Sequence, residues 1–314
     1  MKYDIYFHGS CFDGVASAAV LKYFLNLRGD DFANYIPVTH PVDKNKWRSL
    51  KPKNLMAITD IFFHPKVKIY FDHHPSTFFL FPEWKKKFQK DKFHVSNSQS
   101  PSCAGLIYRS LYKNIKTPAH IKELVYWADL TDRASFKDAK EAMGLKPKPA
   151  IKLATYMDNA KSLSINYQKN IIKLLAQKGL SFIRKDSRIK KGFLNYQKRL
   201  KQSLLKIKNN SSVIGNTVVI KNFNRELAGT RFAGYHIYPK TNYSIRFLKR
   251  DGEFITSVGV NPWNLPKKHA KIGKFLETNF GGGGHAYAGS ASFKTEKETL
   301  RGIEKIVKYL NKNK

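Results

Sequence analysis

The sequence predicts an α/β protein of two domains, and three observations lead to this prediction. The chain has 314 residues, which is long for one small domain and suits two. In the first third, short apolar strand patterns alternate with a helical pattern, as in parallel α/β sheets. The last third changes character, because its strand patterns surround a hairpin turn signal, Asp251-Gly252.

Three strands are predicted in the first third, over the segments YDIYF, LMAIT and VKIYF, which lead into His8, Asp60 and Asp72. Between the first two strands, GVASAAVLKYFLN predicts a helix whose small residues allow close packing. Functional groups of such sheets gather beyond the carboxyl ends of the strands. We therefore expect these three side chains to belong to one site, although each alone could be a helix cap or a polar turn.

The middle of the chain is predicted to be helical. SPSCAGLIYRSLY begins a helix with Ser102 as its N-cap, and the next helix ends in an acidic pair, Asp129 and Asp132. Residues 160–208 form a long basic helical stretch that leads to the second domain. The predicted boundaries are a first domain over 1–190, a helical linker over 191–212 and a second domain over 213–314.

The last third contains the strand patterns NTVVIKNF, YSIRFLKR and EFITSVGV. The glycine-rich segment NFGGGGHAYAGSASF follows a predicted helix around 267–278. The final helix is predicted to start at a capping box formed by Thr295 and Glu298.

The formal charge of +34, from 57 Lys and Arg against 23 Asp and Glu, favours a polyanionic partner such as nucleic acid or a nucleotide. The alternative is a lysine-rich surface without a specific role. Two cysteines cannot form a disulfide framework, so a reducing cytoplasm is the expected setting. No apolar run approaches the roughly 20 residues of a membrane span, so no membrane association is expected.

Metal-ligating residue types are concentrated in the strand-end segments. His8, Cys11 and Asp13 lie within a turn before a helix, which suits a metal and an anion together. A carboxylate such as Asp60 at a strand end can bridge two cations. In the segment FDHHP, one histidine can bind a metal and the other a substrate oxygen.

A second group of candidates lies in the last third. Four consecutive glycines allow backbone amides to approach a phosphate closely, and the following His285 can add a donor. Arg246, in the segment YSIRF, is the best candidate for a bidentate contact with the same anion. The alternative is that the glycines form a flexible turn.

Together these motifs resemble the DHH phosphoesterase superfamily, in the branch whose C-terminal DHH-associated domain carries a GGGH motif. HGSCFDGVASA, ITD, FDHHP and DLTDRASF resemble motifs of the first domain, and GGGGHAYAG resembles the hallmark of the second. The branch includes nanoRNase/pAp-phosphatases and cyclic-dinucleotide phosphodiesterases. The resemblance implies a doubly wound parallel-sheet DHH domain, a smaller mixed-sheet domain and an active site in the cleft between them.

The resemblance also implies a pair of Mn2+ ions, and a homodimer is an expectation of the family. His8 and Asp60 would hold one ion, with Cys11 at the position of a usual acidic ligand. The other ion would be held by four residues, with Asp60 bridging the two ions. These four are Asp13, Asp60, His73 and Asp132.

The remaining site residues would contact the substrate or support those that do. His74 would contact the scissile phosphate, with Asp72 behind it. Residues of the second domain would bind the terminal phosphate or nucleotide, and these are Arg246, Gly282, Gly283, Gly284 and His285.

Cys11 departs from the family pattern, in which an aspartate is usual. Because a thiolate prefers softer ions, the first metal site is expected to be softer or weaker than a Mn2+ site, or to take a ligand from elsewhere in the chain. Asp132 is preferred over Asp129 because TDRASF matches the fourth motif.

The function expected is hydrolysis of short RNA or DNA, or of small nucleotides such as dinucleotides, cyclic dinucleotides and pAp, by a metal-activated water. Two alternatives remain open: a pyrophosphate or polyphosphate hydrolase, and a non-catalytic binder of nucleotides or nucleic acid with a degenerate first metal site. A long-strand exonuclease is less favoured, because such relatives carry additional domains.

Overall fold

The structure is a computed structural model that describes residues 1–39, 41–159, 163–221, 227–250, 252–284 and 286–312. The chain divides into two compact units. The first comprises 1–136 and 147–193, and the second comprises 137–146 and 194–314. None of the helices within the described ranges is both long and apolar enough to cross a membrane.

The described part of the first unit contains five strands, followed along the chain by a run of helices. Its first elements are β1 (Lys2–His8), α1 (Phe12–Leu27), β2 (Asp31–Val38), α2 (Lys44–Arg48), β3 (Leu55–Thr59), β4 (Val67–Asp72), a 3-10 helix (Pro82–Lys87), β5 (His94–Ser96), α3 (Cys103–Leu111) and α4 (Ala119–Asp132). After α5 (Ala139–Ala142), which belongs to the second unit, come α6 (Pro149–Asn159), α7 (Ile165–Lys178), a 3-10 helix (Gly179–Arg184) and the start of α8 (Ser187–Asn209).

The described strands of the first unit form one parallel sheet in the order β2-β1-β3-β4-β5. Alternate residues of β1 point to opposite faces, so Ile5 and Phe7 enter one core and Tyr6 enters another. The first core contains most residues of α1. Because the Val and Ala residues of this helix are small, neighbouring elements pack closely around it, and nearly all of its surface is buried. The second core is aromatic and includes Trp47 and Trp84. The predicted doubly wound parallel sheet is confirmed, whereas β2 and β5 were not predicted.

The second unit contains the remaining elements. They are β6 (Ser211–Ile214), β7 (Thr217–Lys221), α9 (Thr230–Ile237), β8 (Tyr243–Arg250), β9 (Glu253–Val260), α10 (Ile272–Phe280), β10 (Gly283–Gly284), β11 (Ala288–Phe293) and α11 (Glu296–Asn311). The strands form a sheet in the order β10-β11-β9-β8-β7-β6, in which β7 and β8 are parallel and the other pairs antiparallel.

The second sheet is therefore mixed, as predicted. One of its faces packs against apolar residues of α10 and α11. The hairpin between β8 and β9 is confirmed by the pairing of Arg250 with Glu253, although Asp251 itself lies outside the described residues. The capping box of Thr295 and Glu298 at α11 is confirmed as well.

Candidate active site

The carboxyl edge of the parallel sheet has a topological switch point between β1 and β3. The chain runs from β1 to β2 on one side and then returns to place β3 on the other side of β1. Ligands of open α/β sheets bind at such a crevice. His8 ends β1, Asp60 follows β3, and Asp72 ends the neighbouring β4, so all three lie at this edge.

The turn between β1 and α1 brings Cys11 to His8. The Cys11 Sγ accepts a hydrogen bond from the Gly14 amide at 3.2 Å and thereby caps α1. The same sulfur lies 3.0 Å from His8 Nδ1 and 3.5 Å from Asp60 Oδ2. Gly14 is required here because a Cβ would collide with the His8 carbonyl. The glycine thus allows the turn to collect a thiol, an imidazole and a carboxylate.

Asp13 is buried and is oriented by the N-terminus of α3. Its carboxylate accepts hydrogen bonds from the Cys103 amide at 2.7 Å and the Ala104 amide at 3.0 Å. The Ser17 hydroxyl donates a third at 3.3 Å. The N-terminal amides of α3 therefore hold the Asp13 side chain in a fixed orientation.

Asp60 has a left-handed backbone, with φ at +64°. Such a conformation costs about 1–3 kcal/mol in a residue other than glycine and is found at functional sites. Burial raises the pKa of the Asp60 carboxyl well above its usual range, and the nearby charges of Asp13 and Asp72 raise it further. A bound cation would offset both the burial of the Asp60 charge and its repulsion by the neighbouring carboxylates.

His73 presents a ring nitrogen to three carboxylates. Its Nδ1 lies 3.2 Å from the Ser100 carbonyl oxygen, which accepts from the N–H and leaves a lone pair on Nε2. This Nε2 lies 3.4 Å from Asp132 Oδ2, 3.5 Å from Asp60 Oδ1 and 3.6 Å from Asp13 Oδ2. A lone pair among carboxylates is repulsive unless a proton or a metal ion lies between them.

Two of these buried atoms have no hydrogen-bond partner within the described part of the chain: Asp60 Oδ1 and His73 Nε2. Buried polar atoms are rarely left without a partner, because each costs about 1–3 kcal/mol. Both atoms are donor types that divalent metal ions bind. The residues present therefore fit a metal centre.

The candidate ligands form three overlapping groups, in each of which the ligand atoms lie within 4.8 Å of one another. We call their union the strand-end cluster. The groups are His8, Cys11 and Asp60; Asp60, His73 and His74; and Asp13, His73 and Asp132.

His74 is oriented by Asp72. The buried Asp72 carboxylate accepts hydrogen bonds from Thr77 Oγ1 at 2.6 Å and Tyr70 Oη at 3.2 Å, and it lies 2.8 Å from His74 Nδ1. This arrangement leaves His74 Nε2 available, and the side chain is 41% exposed. The hydrogen bond to Asp72 raises the pKa of His74 above its ordinary value, although burial opposes the shift. His74 can therefore carry a proton towards a ligand.

In the second unit, two of the predicted phosphate residues, Arg246 and Gly283, lie in one row of the sheet. Arg246 on β8 pairs with Ser257 on β9, Ser257 pairs with Ser290 on β11, and Ser290 pairs with Gly283 on β10. Residues directly opposite in antiparallel strands share a face. The row thus places a guanidinium and two hydroxyls on one face, and it ends at Gly283, where a Cβ would meet open space.

The glycines beside this row also have a structural role. A Cβ at Gly282 would collide with the Ser290 carbonyl, and one at Gly284 with the Ala288 carbonyl. Both glycines therefore permit the close pairing of β10 with β11, which the sequence analysis did not anticipate. His285 lies outside the described residues.

A search of solved structures finds similar folds at low sequence identity. A pGpG-specific phosphodiesterase, PggH from Vibrio cholerae, is 21% identical with a TM-score of 0.73, and each chain covers 100% of the other. RecJ from Thermus thermophilus in complex with Mn2+ is 14% identical with a TM-score of 0.56. That match covers 98% of this chain, which spans about half, 51%, of the RecJ chain. Protein-family models and curated proteins give no match.

These solved structures belong to the DHH superfamily. The chain has the same fold as these proteins. A match over the whole length of a DHH protein includes both units, so the predicted resemblance is confirmed at the level of the fold.

Within the DHH fold, the structure separates the two acidic residues at the end of α4. Asp132 Oδ2 lies 3.4 Å from His73 Nε2. Asp129 instead accepts hydrogen bonds from Ser102 Oγ at 2.5 Å and Arg109 Nη1 at 2.8 Å.

Sequence reasoning missed the residues that support the candidate site. Arg109 Nη2 donates to Ser100 Oγ at 2.8 Å, and the Ser100 carbonyl faces His73. The one signal in the sequence for this role of Arg109 is that it is the only charged residue of α3. Ser102 was predicted only as the N-cap of that helix. We call Asp129, Arg109, Ser100 and Ser102 the Arg109 network.

Proposed function

We propose that the chain is a metal-dependent phosphodiesterase that hydrolyses short oligonucleotides or small nucleotides, such as dinucleotides, cyclic dinucleotides or pAp. The observation that carries this proposal is that two buried atoms at the switch point of the sheet, Asp60 Oδ1 and His73 Nε2, have no hydrogen-bond partner among the described residues. The same fold in a pGpG-specific phosphodiesterase supports the choice of substrate class.

The strand-end cluster would hold two divalent ions. His8, Cys11 and Asp60 would hold one, and Asp13, Asp60, His73 and Asp132 the other, with Asp60 shared. Divalent ions bound there supply a water that is deprotonated near neutral pH, and they neutralise charge on the phosphate. The repulsion that raises the pKa of the Asp60 carboxyl in the absence of cations supports this assignment.

His74 and Asp72 act on the substrate phosphate as a pair. His74 Nε2 donates a hydrogen bond to a phosphate oxygen, while Asp72 keeps the proton on Nδ1 and fixes the ring. Asp72 favours the protonated, positively charged form of His74. This charge stabilises the phosphate more strongly as negative charge develops on it in the transition state. Thr77 and Tyr70 hold Asp72 in turn.

The second unit binds the terminal phosphate of the substrate. Arg246 supplies a guanidinium, Ser257 and Ser290 supply hydroxyls in the same row, and Gly283 supplies an unobstructed backbone. His285 is assigned to the same phosphate on its sequence motif alone. The net charge of +34 increases the local concentration of such anions.

Cys11 makes the first metal position softer than an all-carboxylate site. A thiol, an imidazole and a carboxylate together favour Zn2+ or Fe2+ relative to Mn2+. Burial and the charge of Asp60 raise the pKa of the Cys11 thiol well above its usual range, so the free thiol is protonated, whereas a coordinated one is deprotonated. We assign Mn2+ to the second position, in which the donors are three carboxylates and one imidazole.

Two further parts of the proposal concern the cell. The free cysteines Cys11 and Cys103 fit the reducing cytoplasm. A homodimer follows from the family resemblance, and light scattering of the purified chain at several concentrations tests it.

The substrate class is tested by hydrolysis assays with a linear dinucleotide, a cyclic dinucleotide, pAp and pyrophosphate, each with Mn2+, Co2+, Zn2+ or Fe2+. The proposal predicts metal-dependent release of nucleotide from one of the first three. Turnover of pyrophosphate alone would establish the pyrophosphatase alternative. Absence of any turnover, with normal oligonucleotide binding by Asp60→Ala, would establish the non-catalytic binder.

A further inference from the structure

The first unit contains a basic cavity outside the strand-end cluster. It has a volume of about 440 Å³ and lies between the end of the lysine-rich segment KKKFQKDK, the residues after β5, and α3. This volume falls in the range of about 300–1,000 Å³ that is typical of small-ligand sites. Its cationic lining residues are Lys90, Lys92, Arg109 and Lys113.

The charge in this cavity is strongly one-sided. The four cations face a single acidic residue, Asp91. The Asp91 carboxylate is occupied locally, because it accepts hydrogen bonds from the Phe93 and His94 amides at 2.7 Å and lies 3.0 Å from His94 Nδ1. Lys90 and Lys113 are exposed and form no ion pair with any described residue. Two cations are thus available to a ligand.

The other lining residues suit a nucleotide unit. Asn97 and Ser110 offer an amide and a hydroxyl that can bond phosphate or sugar oxygens, while Val95 and Leu106 give an apolar wall. Ligand sites of this size combine apolar walls with a few polar groups. A pocket of this volume fits a small group better than the surface of an acidic protein.

The cavity is structurally connected to the strand-end cluster. Ser100 lines the cavity, and its carbonyl faces His73 Nδ1 at 3.2 Å. Arg109 also lines it, and its guanidinium bonds both Asp129 and Ser100. An anion in the cavity would therefore contact the network that orients a candidate metal ligand.

We propose that the basic cavity is a second phosphate-binding site, which takes a phosphate group of a nucleotide chain in addition to the phosphate at the strand-end cluster. The inference rests on the proposed function, because it assigns the cavity to the same class of substrate. The end of the KKKFQKDK segment would then bind phosphate, rather than being only a solvent-exposed charged surface. The phosphate comes from a distal part of the same strand.

Binding is measured on the full chain in EDTA, so that hydrolysis does not contribute. Fluorescence anisotropy with a labelled octanucleotide compares the wild type with Lys90→Gln/Lys113→Gln. We expect the variant to bind more weakly by about fivefold or more, because charge-assisted phosphate contacts are lost. The matched control is Lys44→Gln/Lys46→Gln, which removes the same charge from exposed positions of α2 in the same unit.

The assignment is checked by chain length and by competition. A distal phosphate of the strand predicts that the double variant loses affinity for the octanucleotide but little for a dinucleotide. Inorganic phosphate should compete with the octanucleotide more strongly in the wild type than in the variant. Equal losses in the variant and its control, or none in either, would overturn the inference.

The binding measurement also separates this inference from the proposed function. Absence of hydrolysis with a cavity-dependent loss of binding would refute the enzyme and retain the site. Metal-dependent hydrolysis with binding unaffected by Lys90→Gln/Lys113→Gln would refute the site and retain the enzyme.

Discussion

Gly105→Ala tests whether the Arg109 network holds the candidate metal ligands in place. Gly105 lies in α3, and a Cβ there would come within 3.0 Å of Asp129 Oδ1 and of the Arg109 guanidinium, whereas ordinary contacts begin at 3.4 Å. Both side-chain ends must retreat, so the bonds of Asp129 to Ser102 and Arg109 are lost together.

The stability change is expected to be small because opposite effects nearly cancel. Alanine in place of glycine within a helix stabilises the folded state by about 1 kcal/mol. Loss of the Ser102 hydrogen bond costs about 1 kcal/mol, and loss of the partly exposed ion pair costs about 0.5–1 kcal/mol. We therefore expect the free energy of unfolding to fall by about 1 kcal/mol or less.

The metal affinity should fall much more than the stability does. Partners that orient metal ligands contribute about tenfold to a hundredfold to affinity. Isothermal titration with Mn2+ measures this in Gly105→Ala, in Asp129→Ala and in the double variant. Because both substitutions disrupt the same Arg109 network, the loss of affinity in the double variant should be smaller than the sum of the two single losses. Wild-type affinity in Gly105→Ala, or additive losses in the double variant, would refute this account.

Three further predictions concern single side chains. Cys11→Asp should shift the metal preference of hydrolysis from Zn2+ or Fe2+ towards Mn2+, and an unchanged preference would exclude Cys11 as a ligand. Asp72→Asn should lower the pKa of His74 towards about 6.5 in an NMR titration of the metal-free chain. In the wild type, the interaction of His74 with Asp72 stabilises the folded state fully below about pH 6.5. This stabilisation is lost as the pH rises through the raised pKa of His74. Burial lowers the pKa of His64 to about 4, so the fold should lose up to about 3 kcal/mol as pH falls from 6.5 to 4. His64→Phe should remove that acid sensitivity in urea unfolding, and an unchanged pH dependence would contradict it.

The parts of the site that depend on local sequence could be predicted. His8, Asp60 and Asp72 follow apolar strand patterns directly, and parallel strands end at one edge, so their convergence was predictable. The choice of Asp132 came from a motif match, and the structure places it beside His73, while Asp129 belongs to another network.

The parts that depend on distant backbone contacts could not be predicted. The role of Ser100 is carried by its carbonyl, which any residue type possesses, so no side-chain pattern indicates it. In the second sheet, Arg246 was predicted, but Ser257 and Ser290 depend on the strand register, which the sequence does not specify. The basic cavity could not be predicted either, because it forms only where the end of KKKFQKDK lies beside one side of α3.

The central claim is that the strand-end cluster binds divalent ions that hydrolysis requires, and Asp60 is shared by two of its ligand groups. The most direct test measures the initial rate of dinucleotide hydrolysis against added metal ion, in the wild type and in Asp60→Asn, with Glu123→Gln on the exposed side of α4 as the control. The account predicts metal-dependent turnover in the wild type and control, and a rate lower by about a hundredfold or more in Asp60→Asn. Equal rates in all three proteins, or turnover that does not depend on metal, would contradict it.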